Sequence, residues 1–299
     1  MGVRDVHPSR CQRGPRRSSL VAKGRMGQTA SMRLPFFATI PHSGEKVPEA
    51  CTWLQSLDEK ILMCDVDRYI DRLYEPTLAE LKLPYVKTDW HRYAADLNRI
   101  PEDIDQSSVV GAKLPPGANA RGFHWVITTT EVNLMPQPMP LKLHEEMVQL
   151  VYEPFHQSVR NLYQEFQNEG AKHDYHLDLH SMPSLGTHQH RDPGERRADI
   201  VVSDCKGLSA DPDFVDLVIT SYVKAGFKVG YNWPYFGGRV SEQYGAPRDG
   251  RHTVQVELNR GLYMDEETKH IRPDVFSPTQ VKLANALKKV HEGLPRLLR

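Results

Sequence analysis

The segment HDYHLDLHS, residues 173–181, alternates without a break. Tyr175, Leu177 and Leu179 fall on one side and His176, Asp178 and His180 on the other. A period of two is the mark of a β-strand. The rest of the chain has to supply neighbours for it. LPFFATI (34–40), ADIVVSD (198–204) and HTVQVEL (252–258) read as further strands, and FHWVITT (123–129) as a short one. TDWHRYAADLNRI (88–100) reads as strand followed by loop, and the proline- and glycine-rich stretch 101–122 as a long loop.

Between these runs the spacing changes to three and four. Residues 49–82 carry Trp53, Leu54, Leu57, Ile61 and Leu62 at helical intervals. Residues 142–169 form a long amphipathic pattern that Pro154 kinks or splits. A helix is expected over 211–227, and a last one capped by Ser277. Strands and helices alternate through the whole chain. The expected fold is therefore α/β: a single three-layer α/β/α domain over 33–299, with a mixed, mainly parallel sheet.

The first 32 residues differ, with seven lysines and arginines against one acid, Asp5. They lack the apolar run of a secretory signal and are expected to be a disordered extension, or sequence upstream of a start at Met26 or Met32. Over the full 299 residues, basic and acidic groups balance at 38 each, so nothing recruits nucleic acid or a membrane surface. The four cysteines form no CxxC pair, which argues against a thiolate-bound metal and for a reducing, cytoplasmic setting.

Ligands in open α/β sheets collect at the carboxyl ends of strands. Three strand ends here carry suitable side chains. His42 and Glu45 follow the first strand as an HxxE pair, His180 ends HLDLH, and Glu257 lies near the end of TVQVE. Two histidines and a carboxylate form a catalytic zinc set with room for water. By this reading His42, Glu45 and His180 hold one zinc ion per chain and Glu257 is the general base. Arg92 is available to a developing oxyanion, and Asn98 with Arg99 to a substrate carboxylate. Asp178 and Asp96 are placed to orient imidazoles or arginines. In GYNWPYFGG, Asn232 is a candidate pocket-rim contact, and Gly237 or Gly238 needs a positive φ.

Five blocks carry a resemblance: PHSGEKVPE, HRYAADLNR, LDLHSMPS, GYNWPYFGG and QVELNRGLYMDE, spanning Pro41 to Glu266. In order and spacing they resemble the N-formylglutamate amidohydrolase family, which is related to zinc carboxypeptidases and aspartoacylases. Aspartoacylase shares the DLNR string. The resemblance implies a zinc-carboxypeptidase-like fold, zinc on His42, Glu45 and His180, and the roles above for Glu257, Arg92, Asn98 and Arg99. It implies a small N-acyl amino acid as the partner molecule. A carboxypeptidase-like enzyme acting on peptides or cell-wall fragments, and a metal-binding relative without turnover, are the alternatives. The polar loop 184–197, with His188 and His190, departs from the blocks.

Overall fold

The computed structural model describes residues 33–298. The basic segment 1–32, with Cys11, Met26 and Met32, lies outside the described residues. Six strands form one sheet: β1 (Phe36–Ile40), β2 (Tyr85–Lys87), β3 (Asp174–Met182), β4 (Ile200–Ser203), β5 (Val229–Tyr231) and β6 (Arg251–Asn259). Their order is β2-β1-β3-β6-β4-β5, and every neighbouring pair is parallel except β6 with β4. The expected mixed, mainly parallel sheet is the one found.

The alternation in β1, β3 and β6 gives the sheet two different faces. Phe36, Ala38 and Ile40, Tyr175, Leu177 and Leu179, and Val254, Val256 and Leu258 share one core. It is closed by helices α3 (Ile70–Glu80), α6 (Pro212–Lys224) and α8 (Pro273–Gly293). Each fully buried leucine or valine there contributes roughly 1.5–3 kcal/mol of transfer free energy. On the other face Phe37 packs with Phe155, Val159 and Phe166 of α5 (Glu153–Asn168). Much of the rest of that face is polar: Thr39 on β1, His176, Asp178 and His180 on β3, and Thr253, Gln255 and Glu257 on β6, all buried. This polar strip becomes the floor of the site.

Several local expectations give way to tertiary context. Residues 49–82 do not form one helix. They break into α1 (Thr52–Gln55), α2 (Glu59–Leu62) and α3. The Asp58 carboxylate caps α2 through Lys60 N at 2.8 Å, and Tyr69, at φ 70°, turns the chain before α3. The 142–169 pattern holds as α4 (Leu141–Met147) and α5 joined by a π-helical turn at Val148–Tyr152. The wider turn lies just ahead of Pro154, which has no N–H to offer. FHWVITT stays out of the sheet and makes isolated bridges at Trp125 and Ile127. Residues 88–100 are mostly turn, with a single bridge from Trp90 to Lys46. Ser277 lies inside α8, whose first residue is Pro273, with Arg272 at the cap. Helix α7 (Arg239–Tyr244) follows the GYNWPYFGG turn, and β5 begins that turn as an edge strand.

Candidate active site

β1 and β3 are parallel neighbours, so their carboxyl ends open on the same side. His42 stands just past the end of β1, and His180 near the end of β3. The loop between α2 and α3 folds back over them, and Asp67 N donates to His42 O at 2.9 Å. One ligand atom each from His42, Asp67 and His180 comes within 4.8 Å of the others. Asp67 Oδ2 is 3.6 Å from His42 Nδ1 and 3.1 Å from His180 Nδ1.

The far atom of each group is committed elsewhere. His42 Nε2 is 2.7 Å from Asp96 Oδ1, and His180 Nε2 is 2.8 Å from Asp178 Oδ2. Asp67 Oδ1 accepts from Arg260 Nη2 at 3.0 Å and from Ser181 Oγ at 3.1 Å. Imidazoles backed by carboxylates, with their other nitrogen facing a common point, are the usual surroundings of a metal ion. A buried carboxylate set against two imidazoles favours positive charge on them. Burial would lower the His180 pKa, but the charges and hydrogen bonds of Asp178 and Asp67 outweigh it and hold it well above the imidazole range. Burial likewise opposes ionisation of Asp67, but its hydrogen bonds from His180 and His42 keep it well below the carboxylate range. Two imidazoles and a carboxylate suit a catalytic zinc.

Glu45 is not part of this cluster. Its carboxylate takes Arg68 Nε at 2.8 Å and Nη2 at 3.3 Å, and Arg68 also binds Glu59. The cause is the chain path at Gly44. A Cβ there would stand 2.4 Å from Trp90 O, so the backbone runs tight against residues 89–90. Lys46 N then donates to Asp89 O, and Glu45 is carried away from His42 towards Arg68. The carboxylate that meets the two histidines is Asp67.

Glu257 lies directly beside His180 in the β3–β6 register. Gln255 Nε2 donates to its Oε1 at 2.8 Å, and its carboxylate lines the cavity. Burial raises the Glu257 pKa. The charge on His180 opposes the rise and that on Asp67 adds to it, and the net direction is up. Arg92 lies over Trp125 at 4.6 Å and donates to Asp96 Oδ2 at 2.9 Å and to Asp65 O at 2.8 Å. Among the described residues its Nε is buried without a hydrogen-bond partner. Trp125 Nε1 and Asn98 N also donate to Asp96, which thus ties His42, Arg92 and the DLNR turn together.

Asn98 and Arg99 both line a cavity of about 280 Å³ above the cluster. Asn98 Oδ1 accepts from Val240 N, and Gly238 packs against its amide, where a Cβ would come within 2.0 Å of Nδ2. Gly237, at φ 116°, carries the expected positive φ. Asn232 is held elsewhere. Its amide bonds Asp204, just past the end of β4, and it does not line this cavity. Of the two loop histidines, His188 pairs with Glu131 at an exposed position, whereas His190 reaches the cavity wall. Burial and the nearby Arg197 push the His190 pKa down to about 4.

Asp67 and Arg260 are functional candidates that pattern reading missed. The available signal was Asp65-x-Asp67, two carboxylates interrupting an apolar stripe that otherwise continues into α3. Arg260 directly follows β6 and spends its donors on Asp67, Ser181 Oγ and Cys64 O.

A family model described as N-formylglutamate amidohydrolase matches residues 34–264. The chain belongs to the N-formylglutamate amidohydrolase family. The family match takes in His42, Asp67, Asp96, His180, Glu257 and Arg260 and stops short of α8. Two relatives named N-formylglutamate deformylase are similar over nearly their whole length. The protein from Pseudomonas aeruginosa is 27% identical, covering 86% of this chain and 93% of its own. That from Pseudomonas putida is 28% identical, covering 86% and 92%. Among solved structures, an N-formylglutamate amidohydrolase from Ralstonia eutropha JMP134 superposes with a TM-score of 0.76 at 25% identity, covering 88% of this chain and 95% of its own. The gene product Atu2144 from Agrobacterium tumefaciens shares the fold, with a TM-score of 0.65 at 17% identity over 90% and 93% of the two chains.

Proposed function

We propose that the chain is a zinc-dependent amidohydrolase that splits N-formylglutamate with water into formate and glutamate, and that 33–299 is its catalytic unit. The observation that carries this reading is the buried convergence of His42, Asp67 and His180 beside Glu257. The names of the similar proteins support the substrate. A cavity of about 280 Å³ fits an acyl amino acid better than a peptide.

Zinc held by His42, Asp67 and His180 would supply Lewis-acid polarisation of a carbonyl and acidification of water. Glu257 accepts a proton from the attacking water on the oxygen that Gln255 leaves to the cavity. It returns that proton to the amide nitrogen as the C–N bond breaks. Burial supports both halves of this cycle, because a raised pKa lets the carboxyl hold the proton between them. Arg92 is a cation at the cavity wall, braced by Asp96, and serves the charge that develops on the formyl oxygen. Arg99 grips a substrate carboxylate, with the Asn98 amide beside it.

The test is steady-state formate release by the zinc-loaded protein from N-formylglutamate and its two mono-amides. Wild type should prefer the diacid over at least one amide. Arg99→Ala should lose that preference through a higher KM, with kcat less affected, because the contact exists in ground and transition states alike. Arg99→Lys should rescue poorly, since a point charge cannot make a two-pronged contact. No formate from any of the three overturns the proposed activity. Unchanged discrimination in Arg99→Ala moves the carboxylate clamp elsewhere.

The same site sets a pH dependence. Zinc must displace the proton on His180, so affinity should fall as pH drops from about 8 to about 6. Metal-free protein should show the opposite trend in stability. The raised His180 pKa contributes stability that is complete below the ordinary value of about 6.5 and is lost as pH rises through the folded-state value. Melting curves across this range, with zinc and with chelator, check both signs. Parallel pH trends in the two samples would contradict the arrangement.

A further inference from the structure

Beneath His180 runs a chain of buried hydrogen bonds that the catalytic reading leaves unused. It links Thr253 on β6, Tyr163 on α5, His176 and Asp178 on β3, and Thr39 on β1, all buried. Thr39 Oγ1 donates to Asp178 Oδ1 at 2.6 Å and lies 2.7 Å from His176 Nε2. Tyr163 OH is 3.0 Å from His176 Nδ1 and 3.1 Å from Thr253 Oγ1. Asp178 Oδ2 meets His180 Nε2 at 2.8 Å.

The chemistry fixes the direction of every hydrogen. An ionised carboxylate accepts only, so the single Thr39 hydrogen goes to Asp178. Thr39 Oγ1 must then accept from His176, which places the ring hydrogen on Nε2. Burial pushes the His176 pKa down to about 4, so the ring is neutral and Nδ1 is a bare acceptor for Tyr163 O–H. The Tyr163 oxygen in turn accepts from Thr253. Phe37 stacks on the His176 ring at 4.2 Å and holds its plane.

We propose that Thr39 and His176 are positioning residues for the metal centre. Their one-way donor chain keeps Asp178 an acceptor on both oxygens, so His180 keeps its hydrogen on Nε2 and turns the Nδ1 lone pair towards the cation shared with Asp67. This rests on the metal reading of His42, Asp67 and His180. Without the Thr39 hydroxyl, Asp178 Oδ1 is a buried acceptor with no donor among the described residues. Asp178 is then free to turn, and His180 loses the fixed acceptor that holds its Nε2–H and with it the aim of its Nδ1 lone pair.

The experiment compares wild type, Thr39→Val and Thr39→Ser by zinc titration against a competing chelator, at a temperature where each is folded. Thr39→Val, close in shape but without the hydroxyl, should bind zinc about 10–100-fold more weakly. Thr39→Ser should return to near the wild-type value, which a packing role for the methyl group would not produce. Equal affinity of Thr39→Val and wild type overturns the proposal. A long-range ¹H–¹⁵N imidazole spectrum of wild type is independent of any variant. His176 is expected as the neutral Nε2–H form, and a hydrogen on Nδ1 overturns the proposal even if Thr39→Val does not fold. Wild type that binds no zinc through His42 and His180 would instead strike the metal reading, while the His176 spectrum of metal-free protein would still report on the chain.

Discussion

Glu257→Gln is expected to lower turnover about 10²–10⁴-fold, the range for loss of a general base, with zinc content unchanged. The substitution keeps shape and hydrogen bonding. Gln255 Nε2 can still donate to an oxygen at the place of Oε1, and the new amide nitrogen replaces the oxygen that serves as proton acceptor. Stability should hold or rise. The native carboxylate is buried and its pKa is pushed up, so a neutral side chain relieves a desolvation cost. Loss of rate without loss of metal or of melting temperature separates a proton-transfer role from a structural one. Near-normal rates in zinc-loaded Glu257→Gln protein would remove Glu257 from the mechanism.

The polar floor of the site was legible because strand alternation is a local signal. Once HLDLH and TVQVE are strands, the side of His180 and Glu257 follows, and parallel pairing places them next to each other. Asp96 and Asp178 were legible as partners because each lies within a few residues of a candidate it bonds, Arg92 and His180. The carboxylate that meets the two histidines was not. HxxE is a local spacing, and its outcome depends on where the backbone goes after Gly44, which the distant Trp90 decides. Asp67 lay hidden in a run with helical spacing, and its approach to His42 comes from a loop that folds over two strand ends. Arg260 is brought to Asp67 across 193 residues of chain, a contact no short motif encodes. FHWVITT failed in the opposite way. Its β-branched and aromatic residues suit a strand, but Trp125 is drawn to Asp96, and the segment packs beside the site outside the sheet.

The central claim is that Asp67, with His42 and His180, holds the metal. Asp67→Asn tests it with little disturbance, since the amide oxygen can still accept from Arg260 and Ser181 while the nitrogen that replaces Oδ2 cannot ligate. Asp67→Ala would instead leave the Arg260 charge buried without its partner, at a cost of about 3–5 kcal/mol. Glu45→Ala is the control, because Arg68 keeps Glu59 as a partner. The deciding measurement is zinc affinity of Asp67→Asn and Glu45→Ala beside wild type, by chelator competition. Losing a ligand should exceed the 10–100-fold typical of losing a ligand's hydrogen-bond partner, so Asp67→Asn should bind at least about 10²-fold more weakly. Glu45→Ala should bind as wild type does. Tight zinc in Asp67→Asn together with a metal-free Glu45→Ala would contradict the account and return the site to the HxxE pair.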